Sequence, residues 1–446
     1  MVYDPILNTE VDAESPVTES LMTRMRDNPE AVHAGDATVP LSLRILIPQA
    51  FRTNEVDSAL VLVPDGVGGV RWSGGGFSGS SSDGIGTAIV NGVYNFSSVA
   101  IVAAQVLTGD VTIYCAGDVV ISNTINASLY RLRIYAAGNV TINNAVTNMG
   151  LEVRCGGNFT CSAAVNTRNQ ASRVYYLDDL SVAGVFRVFC AGNLSITAAV
   201  TCVDCLIYAG GTALISSTII AAWPSIGATG GSIITETYGA SFPRLISTGL
   251  ERNGGANRVA GGGGGGGGGT GGGFGGAGTS GEIGGLGDRS RSGYRPYLIP
   301  TSSLRRGGGG GAGSTGSEDG HLSGGVISIF SYGAATLTGA ILIADANGAV
   351  AFQSNVGWGG GGTVRVVSRG NIAGGSILAR GFHDSLRNGG GGGGGGAFFL
   401  ASGYSGVQAL DAAASGTGGG QGGTTATDTA TVSQIDAMIA QGLFNV

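Results

Sequence analysis

The residues best equipped for recognition chemistry gather in a few short stretches in the second half of the chain. Between Glu282 and Arg306 stand Asp288, Arg289, Arg291, Tyr294, Arg295, Tyr297, Arg305 and Arg306. Further on come His321 near Glu318 and Asp319, then Trp358, then Phe382-His383-Asp384-Ser385-Leu386-Arg387. Aromatic rings offer faces for stacking, and guanidinium groups offer planar donors for hydroxyls or phosphates, a combination suited to a carbohydrate or a protein surface. Tyr294, Arg295, Tyr297, Arg305, Arg306, His321, Trp358, Phe382 and His383 are therefore the candidate binding residues. The plainer alternative is that they are polar loop residues that keep a glycine-rich face in solution.

Catalytic constellations are harder to find. His33, His321 and His383 are scattered, and although His383 adjoins Asp384, no Ser-His-Asp arrangement follows from the spacing. Glycan hydrolysis needs two carboxyl groups facing one another a few ångströms apart. Asp178 and Asp179 are adjacent on a strand-like pattern, so they point to opposite faces and make a poor pair. All basic residues are Arg, which excludes a phosphate-loop lysine or a Schiff-base lysine. Cys202-Val-Asp-Cys205 is half of a zinc or redox motif with no second pair, and Gly284-Gly-Leu-Gly-Asp288 misses the spacing of a calcium nonapeptide repeat. No catalytic residue, metal site or cofactor is expected.

The elements that must hold the candidate residues are announced by composition. The 446 residues include 87 Gly, only 12% are charged, and 42% are hydrophobic. That apolar content with a net charge of −6 argues against charge-driven disorder. Ten Pro and no Gly at every third position exclude a collagen triple helix. A mildly acidic chain without basic runs is not built for nucleic acid. Met1-Val-Tyr-Asp-Pro-Ile-Leu-Asn lacks the pattern of a secretory signal, and no apolar run reaches the roughly 18 residues that span a membrane, so a soluble protein without membrane insertion is expected.

One register recurs between residues 110 and 215 at intervals of roughly 19 residues. Its clearest copies are Ile113-Tyr-Cys-Ala-Gly117-Asp-Val-Val-Ile121, Ile134-Tyr-Ala-Ala-Gly138-Asn-Val-Thr-Ile142 and Val153-Arg-Cys-Gly-Gly157-Asn-Phe-Thr-Cys161. Val188 to Ile196 around Gly192 and Ile207 to Ile215 around Gly211 follow, with a degenerate copy at Val174 to Val182. Counted from the glycine, positions −4, −2, +2 and +4 form an apolar face with the period of a strand. Gly followed by Asp or Asn is a turn signal. Strand, corner, strand and return loop make one rung of a parallel β-solenoid, with apolar rows inside and an Asn/Asp ladder at the corner. An antiparallel sandwich would have no reason to keep the register.

The pattern resumes around Gly333, Gly370 and Gly403, the last copy placing Val407 at an inward position, and Ser232 to Gly239 is a possible bridging rung. Cys115, Cys155 and Cys190 share position −2 and Cys161 an inward Ile position, so they read as small buried hydrophobes. With the degenerate copy counted as a rung, successive cysteines of that row are about two rungs, roughly 10 Å, apart and beyond disulfide reach.

Glycine concentrates in runs between the later rungs: Gly261 to Gly269, Gly307 to Gly311, Gly359 to Gly362, Gly389 to Gly396 and Gly418 to Gly423 with Gln421 inside. Mobile loops are one outcome. Because the runs interrupt successive rungs, they would come to lie side by side, and glycine chains without Cβ atoms can pack as extended three-fold helices. The fold class expected is thus an all-β, parallel β-solenoid (β-helix) with glycine-rich, polyglycine II-like insertions and a short helix near each end.

The N-terminal helix is read from Ser15-Pro16 to Asn28-Pro29, with Leu21, Met22 and Met25 as an apolar stripe. The C-terminal one carries Val432, Ile435, Met438 and Ile439 on one face with Gly442 as a stop, and is expected to cap the solenoid. The organisation expected is an attachment region over 1–75, a shaft over 85–250, rungs with glycine-rich insertions over 251–425, and the capping helix over 426–446.

The segment Asp12-Ala-Glu-Ser-Pro-Val-Thr-Glu-Ser-Leu-Met-Thr-Arg-Met-Arg-Asp-Asn-Pro-Glu-Ala31 resembles a leader that recurs near the start of tailed-bacteriophage tail-fibre and related virion proteins. The polyglycine runs separated by short variable loops resemble the tip of certain tail-fibre adhesins. This resemblance implies a virion protein assembled in the host cytoplasm. Its N-terminus, with Leu21, Met22 and Met25, would dock on other tail or baseplate proteins, and its distal loops would bind a host surface glycan or outer-membrane protein. A β-solenoid is more typical of tailspikes, which are usually trimeric and sometimes cleave polysaccharide, so a homotrimer is implied, with a monomeric tip as the other possibility. A depolymerising tailspike, a purely architectural collar or capsid spike, and a bacterial surface adhesin stay open as alternatives.

Overall fold

The apolar rows of the repeat stack in register. In a computed structural model of the chain, residues 61–64, 70–73, 88–127, 130–148, 150–167, 184–223, 304, 323–345, 359–381, 393–414, 422–441 and 443 are described. Two compact units are present, Met1–Gly76 with Asn445–Val446, and Phe77–Phe444. In the first, Val61–Pro64 pairs antiparallel with Val70–Ser73. The described residues of the second are nearly all β, with strands parallel except for one two-residue antiparallel pair, and with one helix.

Each rung has three faces. In the rung that begins at Val111, Val111–Cys115 forms the first face, Val119–Ile121 the second and Ile125–Asn126 the third. Each strand pairs only with its equivalents one rung before and after: Ile113 stands beside Ile134, Val119 beside Val140, Ile125 beside Val146. Among the described residues, first and second faces join in a 17-stranded sheet, and nine third-face strands, with the short Ser323–Gly324 beside them, form a 10-stranded one. The third face occupies what the sequence suggested was a return loop. Its strands are short, but they carry their own inward row eight positions after the corner glycine, Ile125, Val146, Val165, Val200 and Ile219, all buried.

The core is one continuous column of inward Val, Ile, Leu, Phe, Ala and Cys, with Ile113, Ile134, Val153, Val188 and Ile207 in a single row. A buried Ile or Val contributes roughly 1.5–3 kcal/mol. Repetition of such residues at every level is what makes short, loop-linked strands stable. At the first corner the expected ladder forms: the side-chain oxygens of Asp118, Asn139, Asn158 and Asn193 accept the backbone N–H of Asn139, Asn158, Asn193 and Thr212 at 2.7–2.8 Å.

The stack corrects the sequence reading in four places. Gly150–Cys155 pairs directly with Val185–Cys190, so Val174 to Val182 is not a rung between them. Asp204–Ala209 pairs directly with Val326–Ser331, so Ser232 to Gly239 is not one either. Cys155 and Cys190 are consequently direct cross-strand partners, not two rungs apart. Finally, a register shift between Ser368 and Asn371 sets Tyr404 opposite Ile372, and Val407, expected inside, is 81% exposed.

The C-terminal helix, α1 (Val432–Ala440), starts at a capping box in which Thr431 and Gln434 bond each other's backbone N–H. Ile435 is fully buried, and Arg369 Nε meets Asp436 Oδ1 at 2.7 Å. Its contact is with the strand Thr363–Ala373, two rungs before the last first-face strand, so it lies against the flank of the stack. The open end is finished differently. The last strand, Thr424–Thr429, places exposed Thr425, Thr427 and Thr429 in line with inward Ala397, Phe399 and Ala401, which makes a polar terminal rung.

Candidate functional site

Long insertions leave the solenoid at one corner, between the third face of one rung and the first face of the next. The stretches 168–183, 224–322, 346–358, 382–392 and 415–421 all occupy that place in the chain. The last four leave successive rungs, so their bases follow one another at about 4.8 Å. Shorter rungs turn the same corner tightly, as where Tyr130 N–H bonds Ala127 O.

The base of each of these four insertions is closed by one backbone hydrogen bond from a returning glycine to a departing alanine. Gly325 N–H bonds Ala221 O at 2.9 Å, Gly362 N–H bonds Ala344 O at 2.8 Å, Gly395 N–H bonds Ala379 O at 2.6 Å, and Gly423 N–H bonds Ala412 O at 2.7 Å. Returning segments also bond one another, Gly324 N–H to Gly360 O and Gly361 N–H to Gly393 O, both at 2.9 Å. On the departing side, Gly381 bridges Ala414 in parallel, and Ala222–Trp223 pairs antiparallel with Ser323–Gly324 at the base of the longest insertion. These contacts require glycine because of the approach distance. A Cβ on Gly361 would collide with Ala379 O and Gly395 N, and one on Gly394 with Ala412 O and Gly423 N. Adjacent insertions thus begin side by side, tied backbone to backbone.

Charge at this corner is paired along the stack. Arg380 directs its backbone N–H to Asp345 Oδ1 and its Nε to Asp345 Oδ2, at 2.6 and 2.9 Å, with Asp411 3.9 Å away on the far side. That hydrogen bond holds the Arg380 guanidinium above its ordinary value. Arg131 grips Asp110 in the same way in the first rungs.

The outer side of the first face flanks the insertion corner and carries a second set of stacked side chains. Tyr114 stacks on Tyr135 with centroids 5.2 Å apart, the Arg154 guanidinium lies 4.9 Å above the Phe189 ring, and Tyr208 stacks on Phe330 at 4.9 Å. Arg133, Glu152 and Arg187 follow one another in the neighbouring outward row. Farther along, Arg365 is fully buried with its Nη2 3.0 Å from Ser328 Oγ, and burial pushes its guanidinium below the ordinary value. Leu304, inside the longest insertion, is buried against Leu206 and Val326 on this outer face.

All nine candidate binding residues lie outside the described residues, as do Leu21, Met22 and Met25. What is described is where their segments are rooted. Tyr294, Arg295, Tyr297, Arg305, Arg306 and His321 belong to 224–322, with Arg305 next to the buried Leu304. Trp358 belongs to 346–358, and Phe382 and His383 to 382–392. The fold gathers the roots of three sequence-distant segments on one edge.

Sequence reasoning overlooked the alanines and glycine pairs that root them. The signal was present: an apolar residue two positions before Ala ends each departing strand (Ile219-Ile-Ala221, Leu342-Ile-Ala344, Ile377-Leu-Ala379, Leu410-Asp-Ala412), and Gly-Gly precedes each returning one.

Among the described residues no group of three or more His, Cys, Asp or Glu could hold a metal ion, and no helix is long and apolar enough to cross a membrane. Comparison of the chain with known protein families, curated proteins and solved structures finds no match.

Proposed function

We propose that the chain is a structural virion protein, a tail fibre or spike, that attaches to the host cell surface through loops held along one edge of the solenoid. The observation that supports this reading is the rooting of four successive insertions, three of them bearing the Arg, Tyr, Trp and His candidates, by stacked Ala–Gly hydrogen bonds. A rigid base under each loop limits the conformational entropy lost when the loops engage a ligand together, which favours recognition of an extended surface. On this reading the glycine runs continue the backbone pairing outward as a polyglycine II-like layer, and residues 1–75 dock on other virion proteins through Leu21, Met22 and Met25. The ligand is a host surface glycan or outer-membrane protein, and the working assembly is a homotrimer.

The test is binding of labelled full-length protein to a panel of bacterial cells and their extracted surface glycans. A Y294A/R295A/Y297A variant and a deletion of 253–320, which keeps Gly324 and Gly325, serve as comparisons. Saturable binding lost at least tenfold in both variants, with an unchanged circular-dichroism spectrum, supports attachment through the loops. Binding unaffected by either change overturns it, and release of oligosaccharides from the glycan would make the protein a depolymerase.

A further inference from the structure

Six cysteines are buried in the solenoid, and all are free thiols in this structure. They are not equivalent. Ala136 separates Cys115 from Cys155 in their common inward row, whereas Cys155 and Cys190 stand directly opposite each other on adjacent first-face strands. Parallel strands lie about 4.8 Å apart, inside the roughly 4.4–6.8 Å between Cα atoms that a disulfide bridges. Both side chains point into the core, with exposures of 1% and 0%. The neighbouring Cys190 thiol, together with burial, holds the Cys155 thiol well above its ordinary pKa. Cys161, opposite Ile142 and Ile196, has no such partner in its row, and burial pushes it up to about 11. Cys202 and Cys205, despite their short spacing, lie on different faces opposite Ala221 and Ile327.

We propose that Cys155 and Cys190 are a disulfide site that can lock together the two successive rungs that the 168–183 insertion separates in the sequence. The chemistry is exchange with a small-molecule disulfide. The Cys155 thiolate attacks one sulfur of the reagent and expels a thiolate, forming a mixed disulfide. The Cys190 thiolate then attacks the Cys155 sulfur and expels the second thiolate. Two protein thiols are oxidised by two electrons, the reagent is reduced to two thiols, and the protons pass to the departing thiolates. Because both thiols are buried out of reach of a reagent and the Cys155 thiol is held protonated, exchange is expected while the rungs are still assembling. The stacked strands would then hold the bond.

The experiment takes the full chain through unfolding and refolding in an oxidised/reduced glutathione buffer, beside a fully reduced sample that must regain the starting circular-dichroism spectrum. Alkylation in denaturant then counts the remaining thiols, and peptide mass spectrometry locates any link. The expected result is two thiols lost from the wild type, a linked Cys155–Cys190 peptide pair, and a melting midpoint several degrees above the reduced sample. C155A should lose no thiol and show no shift; it is expected to fold, because Ala136 and Ala209 hold the same row. Wild type that refolds with all six thiols alkylatable, or a link between any other pair, overturns the proposal.

Discussion

The two halves of the solenoid keep the same inward rows and the same backbone bonds between corner glycines, but add different contacts to them. From residue 88 to 223, four successive rung contacts at the first corner are made by Asp or Asn side chains reaching to the next backbone N–H. The corner glycines themselves bond backbone to backbone in both halves: Gly138 N–H bonds Gly117 O at 3.1 Å and Gly211 N–H bonds Gly192 O at 2.8 Å. From residue 323 to 429 the same row continues beyond the ladder's last bond to Thr212, with Gly333 N–H to Gly211 O at 2.7 Å and Gly370 N–H to Gly333 O at 3.2 Å. The weight of register-keeping moves to the opposite corner, where Ala–Gly bonds close the insertions. The side-chain ladder runs on across the 168–183 insertion, where Asn158 Oδ1 accepts the Asn193 N–H. Where insertions leave successive rungs, loop closure is entropically costly at each level, and the Ala–Gly bonds at their bases return the chain to the same register.

The sharpest way to break this contrast is to place a side chain in the glycine stack. Gly361→Val would drive its Cβ into Ala379 O and Gly395 N, both backbone atoms of rooted segments that have nowhere to move. A loss of about 3 kcal/mol or more is expected, or failure to fold. At Gly403, by contrast, a Cβ would meet only the Asn371 side-chain oxygen at 3.1 Å, and Gly403→Ala should stay within about 1 kcal/mol of wild type. Urea midpoints of the two variants measure the difference. A Gly361→Val protein as stable as Gly403→Ala would show that the insertion roots are pliable.

A smaller effect is expected from the ladder of the regular half. Asn158→Ala leaves the Asn193 N–H without its 2.8 Å acceptor and should cost about 1–2 kcal/mol. Asn371→Ala, which removes only an exposed bond from Nδ2 to Ser405 Oγ, should cost less than about 0.5 kcal/mol. Thermal melts of the pair, read at matched concentration, decide whether side-chain spacing belongs to the first half alone.

These two corners also mark what the sequence disclosed. The inward Ile and Val rows and the Gly-Asx corner were legible because they recur at fixed offsets and because side-chain alternation is itself the signal of a strand. The third face was not, since strands such as Ile125–Asn126 and Val165–Asn166 are too short to show alternation. Val174 to Val182 imitated a rung by composition, and only the direct pairing of Cys155 with Cys190 excludes it. Val407 was misplaced by a register shift that spacing cannot show. The insertion roots escaped notice because their bonds are made by backbone atoms, whose partners no side-chain pattern names. The nine candidate binding residues were chosen for chemistry alone, and only the roots of their segments are described.

Charge at the insertion corner should matter less than backbone fit. Arg380 is 44% exposed while Asp345 is 15% exposed, so the pair is partly screened by water. Arg380→Ala is expected to cost less than about 1 kcal/mol, and less again in high salt. The guanidinium pKa is raised in the folded state, so its stabilising contribution is fully present below the ordinary arginine value and is lost only above it. Stability differences between wild type and Arg380→Ala should therefore be flat from pH 6 to 9. A difference that changes across that window would mean that a group other than this arginine governs the corner.

The smallest effect is expected where the regular half breaks its own rule. Asn148 occupies an inward position whose neighbours in the row are Ala127 and Thr167. It is fully buried, and neither side-chain polar atom has a hydrogen-bond partner among the described residues. Burying an amide without partners costs roughly 1–3 kcal/mol, which Ala would not incur. Ala in turn gives up packing volume at a site already surrounded by small residues. The two terms oppose each other, and Asn148→Ala should lie within about 0.5 kcal/mol of wild type, on the stabilising side. A loss greater than about 1 kcal/mol in a urea titration would show that the amide does bond inside the solenoid, and would extend the polar ladder of the first corner to its interior.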